Sequence, residues 1–410
     1  MRWWQGRWRW QVKANDARRS QFERLQGERP VDQAGLSIRA GDSVKSVYVS
    51  FYEAYPPVSG AASVTWNCAR RSPGEVTLIQ LSSTAGESVV DGVRLVRLVG
   101  SGRGLGKLIA IRRLVGQIVE RCRTIDPEVI VLEGASWAVY HWMLLRAIRK
   151  ARLRARVWYH SHNVEQLLRR DRNGRAIAAV TGWAEGRLLR GADRAFAVSP
   201  VDQKQFRELY DAPTDLWPNG VDVERFDAVR HDQVQHARAM YGIGDEVVLF
   251  MGLYAYPPNT RAVDFLNNEV MPRVRERRPG AQLVVLGGQV PYTRPWMINP
   301  GVVPFEQLPA VVKACAVGAA PVFEGSGTRL KILEYGAAGL AVVSTRKGAE
   351  GLDVIAGESI LLREDGAGFT EGIVHALGPA RRDGLGSALR EVVATGYGYE
   401  GILRRVWGMA

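Results

Sequence analysis

A chain of 410 residues is too long for one ordinary hydrophobic core and predicts two domains. Its hydrophobic fraction of 46% is typical of a globular protein, and no apolar run is long enough to predict a transmembrane helix. The N-terminus carries charge but lacks the apolar stretch of a secretory signal. Cys68, Cys122 and Cys315 lie far apart, without the spacing of metal ligands. We therefore expect free thiols in a reducing cytoplasm.

The formal net charge of +13 favours anionic partners. Nucleotide diphosphates, lipid pyrophosphates, acidic membranes and nucleic acid all fit a charge of this sign. Runs such as RAIRKARLRAR and RVRERR are equally typical of solvated helix faces. No recognised nucleic-acid-binding module accompanies them, so nucleic acid is not an expected partner.

Residues 1–43 differ in composition from the rest of the chain. The segment MRWWQGRWRW holds four of the twelve tryptophans, interleaved with three arginines. Tryptophan and arginine together favour a membrane interface, where the ring lies among headgroups and the guanidinium meets lipid phosphate. A disordered extension, or a translation start placed too early, explains the same composition, because so polar a segment does not order itself. We predict a basic, disordered extension, with contact to an anionic membrane surface as the alternative.

From Val44 onward, apolar strand patterns alternate with helical patterns. The segments VKSVYVSF, VTLIQLSS, VRLVRLV, EVIVLEG and ADRAFAVSP predict strands. Pro218 and Gly220 mark a junction, after which the alternation restarts with EVVLFMG. The repetition predicts an α/β fold of two doubly wound, Rossmann-like parallel sheets that face a cleft. The predicted divisions are an extension at 1–43, a first domain at 44–220, a second domain at 221–395 and a C-terminal helix at 396–410.

The segment from Phe323 to Leu352 carries the strongest functional signal. Its pattern predicts a strand, a glycine-rich loop, a helix from Thr328 and a second strand, which places backbone N–H groups and a positive helix end at a sheet edge. Lys331 adds positive charge, and Glu334 can accept two hydroxyl hydrogen bonds, as from a ribose. A sugar-nucleotide diphosphate fits these features. The alternative is an ordinary turn before a helix, with Lys331 and Glu334 as an i, i+3 surface ion pair.

The stretch GTRLKILEYGAAGLAVVST, followed by GAEGL, resembles the donor-binding motif of GT-B glycosyltransferases, specifically the retaining group of glycosyltransferase family 4. HNVE, PNGVD, YPPN and GSGTRLKILE occur in the order expected of this family. The resemblance implies a GT-B fold whose final helix crosses back onto the first domain. It also implies sugar transfer with retention, by front-face displacement, from a UDP- or GDP-sugar to a hydroxyl acceptor. No metal or other cofactor is then required.

The resemblance assigns roles to the donor segment. Diphosphate contacts are expected from Gly327, Thr328, Arg329 and Leu330. Arg329 or Lys331 would supply the catalytic countercharge, and Glu334 would bind the donor ribose; a salt bridge to an acid is the alternative role for Arg329. Many family members have a sugar-contacting glutamate eight positions before this ribose ligand, where the chain has Ser326. Either Glu324 compensates, or the chain belongs to a branch in which serine fills this place.

In the first domain, His162 matches the family histidine that points into the cleft near the donor sugar, which implies a catalytic role. His160 precedes it by two positions, so on a strand both side chains would share a face. We expect His160 to bond to backbone. Two imidazoles without a nearby third ligand predict no metal site. Asn163 and Glu165 are expected either to orient His162 or to cap the following helix, and capping is the favoured role for Asn163.

Two glycine-containing turns complete the predicted site. Ser59 and Gly60 follow the first strand, where the family uses glycine so that backbone can approach the phosphate or the acceptor. Gly252 resembles the matching turn under the donor phosphates. Relatives often place Arg or Lys soon after it, where this chain has Leu253 and Tyr254.

Two further segments have weaker assignments. YPPN, at residues 256–259, is family-like but also fits a purely structural turn. Residues 303–305 either line a nucleobase pocket or serve the core.

These features predict a cytoplasmic, retaining, nucleotide-sugar-dependent glycosyltransferase, associated peripherally with the inner membrane face. A sugar or lipid-linked acceptor is expected, in the assembly of a surface polysaccharide or glycolipid. Another GT-B enzyme is the first alternative: a sugar-nucleotide 2-epimerase, or a phosphorylase, for which no pyridoxal-phosphate lysine motif appears. A non-catalytic, basic binding protein is the second.

Overall fold

The protein is represented by a computed structural model, which describes residues 44–100, 105–134, 137–324 and 330–409. Two sheets organise these residues. The strands of the first sheet are β1 Lys45–Ser50, β2 Glu75–Ser82, β3 Gly86–Val90, β4 Val93–Val99, β5 Val129–Glu133, β6 Arg156–Ser161, β7 Arg194–Ala197 and β8 Asp215–Leu216. Their spatial order is β3-β4-β2-β1-β5-β6-β7-β8, and every pair except β3 with β4 is parallel.

The second sheet is parallel throughout. Its strands are β9 Val247–Met251, β10 Gln282–Leu286, β11 Met297–Gly301, β12 Val317–Ala320, β13 Ala341–Ser344 and β14 Leu361–Leu362. Their order is β11-β10-β9-β12-β13-β14. The central strands β1 and β9 are almost wholly buried, as expected for parallel strands covered on both faces. The predicted α/β class with two doubly wound sheets is confirmed.

Helices connect the strands on both faces of each sheet. Around the first sheet they are α1 Gly60–Arg70, α2 Leu105–Ile125, α3 Ala138–Lys150, α4 Glu165–Asn173, α5 Arg175–Gly191 and α6 Pro200–Tyr210. Those that follow are α7 Val223–Asp227, α8 His231–Tyr241, α9 Pro257–Phe265, α10 Met271–Arg277, α11 Leu308–Lys313, α12 Leu330–Ala337, α13 Gly366–Ala376, α14 Pro379–Gly396 and α15 Tyr399–Trp407.

Strand β3 was not predicted from the sequence. It pairs antiparallel with β4 through a tight turn at Asp91 and Gly92, whose φ angles are 47° and 79°. A two-residue turn with both central residues at positive φ is the hairpin connection that Asp-Gly favours. The Asp-Gly pair between GESVV and VRLVRLV was therefore a usable signal for an antiparallel edge strand.

The segment from 262 to 280 has the period of one continuous helix, but the structure divides it. A π-helical turn, Leu266–Val270, separates α9 from α10. Pro272 is the second residue after this turn, and it has no N–H to donate to a carbonyl of the preceding turn. The widened turn accommodates the proline without ending the helix.

The last helix, α15, packs against the first sheet although it follows the second sheet in the chain. The Trp407 ring lies 4.6 Å from the Trp158 ring, centroid to centroid, and both side chains are fully buried. Arg194 Nη1 donates to the carbonyl of Val406 at 3.1 Å. The C-terminal helix therefore helps to complete the core around the first sheet.

The three cysteines are buried free thiols, as predicted. Among the described segments, no helix combines the length and the apolar character that crossing a membrane requires.

His141, on α3, predicts how stability depends on pH. It is fully buried, and burial lowers its pKa to about 4. Between about pH 6.5 and 4 the unfolded chain binds this proton and the folded chain does not. The contribution of neutral His141 to the free energy of unfolding should thus be fully present above pH 6.5. It should fall by up to about 3 kcal/mol as the pH drops to 4.

The variant His141→Leu should lose that part of the acid sensitivity, as measured by urea unfolding at neutral and acidic pH. His236→Gln, at an exposed position of α8, is the control and should behave like the unaltered protein. An unchanged pH slope in His141→Leu would contradict the assignment.

Candidate active site

The two sheets bring the N-termini of α1 and α12 together. Gly60 begins α1, after the loop that leaves the carboxyl end of β1, and Leu330 begins the described part of α12, after β12. A Cβ atom added at Gly60 would lie 2.8 Å from Leu330 Cδ1. The carboxyl edges of both sheets therefore face each other here, as the rule for ligand clefts in α/β folds requires. The hydroxyl of Ser59 caps α1 by accepting the backbone N–H of Ala62 at 3.2 Å.

A buried cluster of Glu133, His160 and His162 lies at this edge of the first sheet. Glu133 ends β5 and pairs in register with His160 of β6, while His162 follows β6 directly. Glu133 Oε2 lies 2.6 Å from His162 Nε2, and Glu133 Oε1 lies 3.4 Å from His160 Nδ1. Both histidines face the same carboxylate, which confirms that they share one face of the strand.

Hydroxyl and backbone carbonyl groups hydrogen bond to the cluster and stabilise its geometry. Thr65 Oγ1 donates to Glu133 Oε2 at 3.0 Å, and the Tyr52 hydroxyl bonds to Thr65 Oγ1 at 2.6 Å. His160 Nε2 donates to the carbonyl of Trp217 at 3.1 Å, and its ring stacks on the indole at 4.3 Å. The backbone bond predicted for His160 is thus confirmed. Because these groups are packed and bonded, the orientation of the carboxylate is fixed.

The charge on Glu133 fixes the tautomer of His162. Burial alone would raise the pKa of Glu133, but the contacts with His160 and His162 outweigh it and lower the pKa well below its usual range. Burial lowers the pKa of His162, against the opposing effect of Glu133. An ionised carboxylate only accepts hydrogen bonds, so the imidazole proton lies on Nε2 and Nδ1 keeps its lone pair. The pair can therefore present a basic nitrogen with a defined orientation.

Sequence reasoning missed Glu133, and with it the third group of this cluster. The absence of a third ligand beside the two imidazoles was the ground for predicting no metal site, and that ground is wrong. One ligand atom from each of Glu133, His160 and His162 lies within 4.8 Å of the others. A single acid at the carboxyl end of the buried strand EVIVLEG was the signal that could have found it, because such ends meet at one sheet edge.

The cap predicted for the next helix is wrong. Asn163 does not cap α4: its Oδ1 is buried and has no partner among the described residues. The backbone N–H groups of Glu165 and Gln166 are instead bound by the Glu185 carboxylate, at 2.7 and 3.1 Å. Burial raises the pKa of Glu185 to about 7. Glu165 itself accepts from Arg169 Nε at 2.6 Å. Within the described ranges, neither Asn163 nor Glu165 hydrogen bonds to His162 to orient it.

Glu334 lies on α12, on the donor side of the predicted cleft. It is partly buried, and burial raises its pKa to about 7 against the opposing charges of Arg225 and Lys331. Lys331 Nζ donates to Asn259 Oδ1 at 3.2 Å and lies 4.0 Å above the Phe250 ring. A carboxylate beside two cations can exchange these interactions for hydroxyl groups of a ligand. The predicted contacts Ser326, Gly327, Thr328 and Arg329 lie outside the described residues.

Arg225 is a cationic group at this site that sequence reasoning missed. It lies on α7, within the PNGVDVERF segment, and its Cζ is 3.5 Å from the centroid of the Phe305 ring. Its Nη2 is buried and has no hydrogen-bond partner among the described residues. Its charge acts on Glu334. Arg225 therefore connects the predicted ribose ligand with the segment 303–305 that was predicted to line the nucleobase pocket.

The turn at Gly252 supports Lys331. Gly252 has φ 154°, and a Cβ there would lie 2.7 Å from Asn259 Nδ2. Asn259 Nδ2 donates to the carbonyl of Leu253 at 3.0 Å while its Oδ1 accepts from Lys331. The YPPN segment thus places an amide between the glycine turn and the lysine.

Replacing Gly252 with alanine should displace Asn259 and weaken its hold on Lys331. We expect KM for the donor to rise about tenfold, as for the loss of one charged hydrogen bond worth about 1.5 kcal/mol. Steady-state kinetics with varied donor measure this. Gly384→Ala, where an added Cβ meets nothing within 4 Å, is the control. An unchanged KM in Gly252→Ala would contradict this role for the turn.

Glu324, the candidate substitute for the missing sugar-contacting glutamate, forms an ion pair with Arg261 of α9. This ion pair joins α9 to the loop that follows β12.

The PNGVD segment and α4 connect the two halves of the cleft. Asp222 accepts from Arg70 Nη2 at 2.5 Å and from Arg71 Nη2 at 2.7 Å, both at the end of α1. Arg172 of α4 hydrogen bonds to the Tyr256 hydroxyl and lies over its ring at 5.0 Å. These contacts link residues around the first sheet to residues around the second.

Two protein-family models match this chain. Residues 58–225 match the model described as Glycosyltransferase Family 4. Residues 245–378 match the model described as Glycosyl transferases group 1. No curated protein matches the chain by sequence.

Solved structures of several glycosyltransferases share the fold. Sucrose-phosphate synthase from Thermosynechococcus elongatus is 17% identical, with a TM-score of 0.71, and the match covers 88% of this chain and 97% of that chain. HepE from Anabaena, in complex with UDP and glucose, is 14% identical with a TM-score of 0.68, covering 88% and 98%. The UDP-forming trehalose-phosphate synthase from Burkholderia xenovorans, in complex with glucose-6-phosphate, is 12% identical with a TM-score of 0.68, covering 89% and 99%.

At these identities the structural likeness shows the fold, and the family models add the class of enzyme. Together with the two facing sheets, they identify the chain. It belongs to the GT-B glycosyltransferases of the group 1, family 4 type.

Proposed function

We propose that the protein transfers a hexosyl unit, with retention of anomeric configuration, from a nucleotide-diphosphate sugar to a hydroxyl acceptor. The acceptor is a sugar or a lipid-linked sugar, and the setting is the cytoplasmic assembly of a surface polysaccharide or glycolipid. The observation that carries the proposal is Glu334, a partly buried carboxylate with a raised pKa between two cations at the edge of the second sheet. A nucleotide ribose offers the pair of hydroxyl groups that such a carboxylate binds.

The ligands of the similar structures support the donor class. HepE was solved with UDP and glucose, and the trehalose-phosphate synthase was solved with glucose-6-phosphate. Both are matched over nearly their whole length. A UDP-sugar donor and a sugar acceptor are therefore the first pair to test, with GDP- and ADP-sugars beside them.

In the proposed reaction the acceptor hydroxyl attacks the anomeric carbon from the face that the diphosphate leaves. The bond between that carbon and the β-phosphate oxygen breaks, and the departing phosphate takes the acceptor proton. Lys331 and the N-terminal end of α12 stabilise the charge that develops on the diphosphate, with Arg329 proposed beside them. Ser59 caps α1, and glycine at position 60 lets the N-termini of α1 and α12 pack closely, because a side chain there would collide with Leu330. The proposed acceptor and donor sides of the site are thereby brought near each other.

His162 is proposed to lie beside the transferred sugar, with Glu133 holding its ring. The contact of 2.6 Å fixes Nε2 on the carboxylate and leaves Nδ1 to accept a sugar hydroxyl. A ring held by a buried and hydrogen-bonded carboxylate does not have to reorganise during the reaction.

No metal is proposed for the reaction, because Lys331, Arg329 and a helix N-terminus can neutralise the diphosphate. Glu133, His160 and His162 could supply three ligands to a divalent ion, but Glu133 already accepts the Nε2 proton of His162, and His160 Nε2 already donates to the carbonyl of Trp217. Incubation with a chelator should therefore leave the rate unchanged, and a rate restored only by added metal would contradict this part of the proposal.

A thermal-shift panel of UDP-, GDP- and ADP-sugars tests the donor, since a ligand that binds only the native state raises its melting temperature. The stereochemistry of the product, read by proton nuclear magnetic resonance, tests retention. No shift with any donor, together with an unaltered response in Glu334→Ala, would overturn the donor assignment.

The alternatives give distinct outcomes. A sugar-nucleotide 2-epimerase would convert the donor with no acceptor present. A non-catalytic nucleic-acid-binding protein would retain oligonucleotide on a filter, with an affinity that falls steeply as salt is added.

A further inference from the structure

Helix α5 has an unusual exposed face. Its buried side carries small residues and leucines, as a helix packed on a domain should. The opposite side carries apolar residues as well, and we call this set the α5 face: Ala176, Ile177, Ala179, Val180 and Trp183. Ile177, Val180 and Trp183 are 41%, 50% and 46% exposed. No charged residue interrupts the face between Arg175 and Glu185. Such contiguous apolar surface on a folded domain marks an interaction site.

Trp142 and two arginines lie beside the Trp183 end of the α5 face. The Trp183 ring meets the Trp142 ring of α3 at 4.6 Å. Arg187 lies 4.2 Å above Trp183, and Arg146 lies 5.1 Å from Trp142. Neither arginine forms an ion pair with a carboxylate in the described ranges. Two indoles with guanidinium groups stacked on them thus stand at the edge of an apolar patch.

The charges around this surface are mostly positive. Arg170, Arg172 and Arg175 lie at its N-terminal end, where Asp171 is the acidic neighbour and pairs with Arg170 at 3.7 Å. At the C-terminal end, Arg187 and Arg190 share a groove with Glu208 of α6 and with Asp211, which follows that helix. The N-terminal half of the face therefore carries the net positive charge.

We propose that the α5 face is a docking surface for an anionic lipid bilayer. Its apolar row would enter the boundary between headgroups and acyl chains, the two tryptophans would lie at headgroup level, and the arginines would meet lipid phosphate. Arg172 places this surface beside the cleft, because it also contacts Tyr256 of the second half. The surface would hold the cleft against the membrane, where a lipid-linked acceptor lies.

The docking surface deepens the proposed function, because it names the side of the enzyme that meets a lipid-linked acceptor. The biological role of the surface rests on the proposed function, but its binding to lipid does not. Vesicle binding does not require a donor, and donor binding does not require vesicles. Each variant below is therefore also given the thermal-shift panel. A failure of vesicle binding with an intact donor response overturns the docking surface alone.

The test is sedimentation of the full chain with vesicles of phosphatidylcholine, with and without phosphatidylglycerol. Binding should depend on phosphatidylglycerol and weaken with salt. The double variant Val180→Ser/Trp183→Ser should lower the partition coefficient at least about tenfold, and Arg146→Gln or Arg187→Gln about fivefold each. The control is the double variant Val89→Ser/Met240→Ser, which alters two exposed apolar residues away from α5 and should bind as the unaltered chain does.

Three outcomes would overturn the proposal. The first is no binding of the unaltered chain to anionic vesicles. The second is binding of the α5 double variant as strong as that of the unaltered chain. If replacing Trp3, Trp4, Trp8 and Trp10 with serine then abolishes binding, the N-terminal segment is the site. The third is an RNA oligonucleotide that binds in place of vesicles and is lost with the same α5 substitutions.

Discussion

Replacing Glu133 with glutamine is expected to lower kcat by about 100-fold, the size typical of losing one preorganised hydrogen bond at the reacting group. The carboxylate holds the Nε2 proton of His162 and raises the pKa of that imidazole against the effect of burial. Glutamine keeps the shape of the side chain and removes the charge. If activity requires neutral His162, the acid limb of the pH–rate profile should move to lower pH, because burial then lowers the pKa of His162 without opposition.

The moved acid limb separates this role from loss of structure, which would lower the rate at every pH. Glu128→Gln, at an exposed position directly before the same strand, is the matched control and should keep both rate and profile. The double variant Glu133→Gln/His162→Ala should be no slower than His162→Ala, because residues that act as one unit are not additive. An additive double variant would show that Glu133 acts apart from His162.

Glu334→Ala should weaken donor binding by about 100-fold, as expected for the loss of two charge-assisted hydrogen bonds of about 1.5 kcal/mol each. The pKa of about 7 in the unliganded protein also gives the unaltered enzyme a pH dependence. Only the ionised carboxylate accepts both ribose hydroxyls. Affinity should therefore be full above pH 7 and fall about tenfold for each pH unit as the pH drops below it.

Isothermal titration with a nucleotide sugar measures this effect, since its diphosphate does not titrate in the same range. The Glu334→Ala variant should bind weakly and with no pH slope over this interval. Glu391→Ala, an exposed acid on α14, serves as the control. A slope that persists in Glu334→Ala would assign the titration to another group.

The sequence predicted the sheets better than it predicted the site. Short apolar runs such as those of β1, β5 and β9 predict buried strands from a few neighbouring residues alone. The structure has strands at these places. The hairpin strand β3 was missed because GESVV is short and polar, although Asp91 and Gly92 carried a turn signal. The π-helical turn before Pro272 depends on which N–H bonds to a backbone carbonyl of the helix. The spacing of apolar residues carries no information about that hydrogen bond.

The candidate site required distances that no motif contains. HNVE indicated His162, but the group that orients it lies on the neighbouring strand, 29 residues earlier in the chain. Arg225 sits inside a recognisable segment, yet its stacking on Phe305 depends on how α7 meets the loop before α11. The helix cap assigned to Asn163 was wrong because Glu185, on the next helix, takes both backbone donors. Long-range pairing decided each of these.

The packing of Trp407 on Trp158 has a consequence for how the protein is made. During synthesis, the residues of the first sheet emerge from the ribosome well before α15 does. Until α15 arrives, the indole of Trp158 lacks the partner that covers it, so the first half of the nascent chain exposes an aromatic surface while the second sheet is still being translated. Folding of the first domain is thus completed only after the second domain has been synthesised.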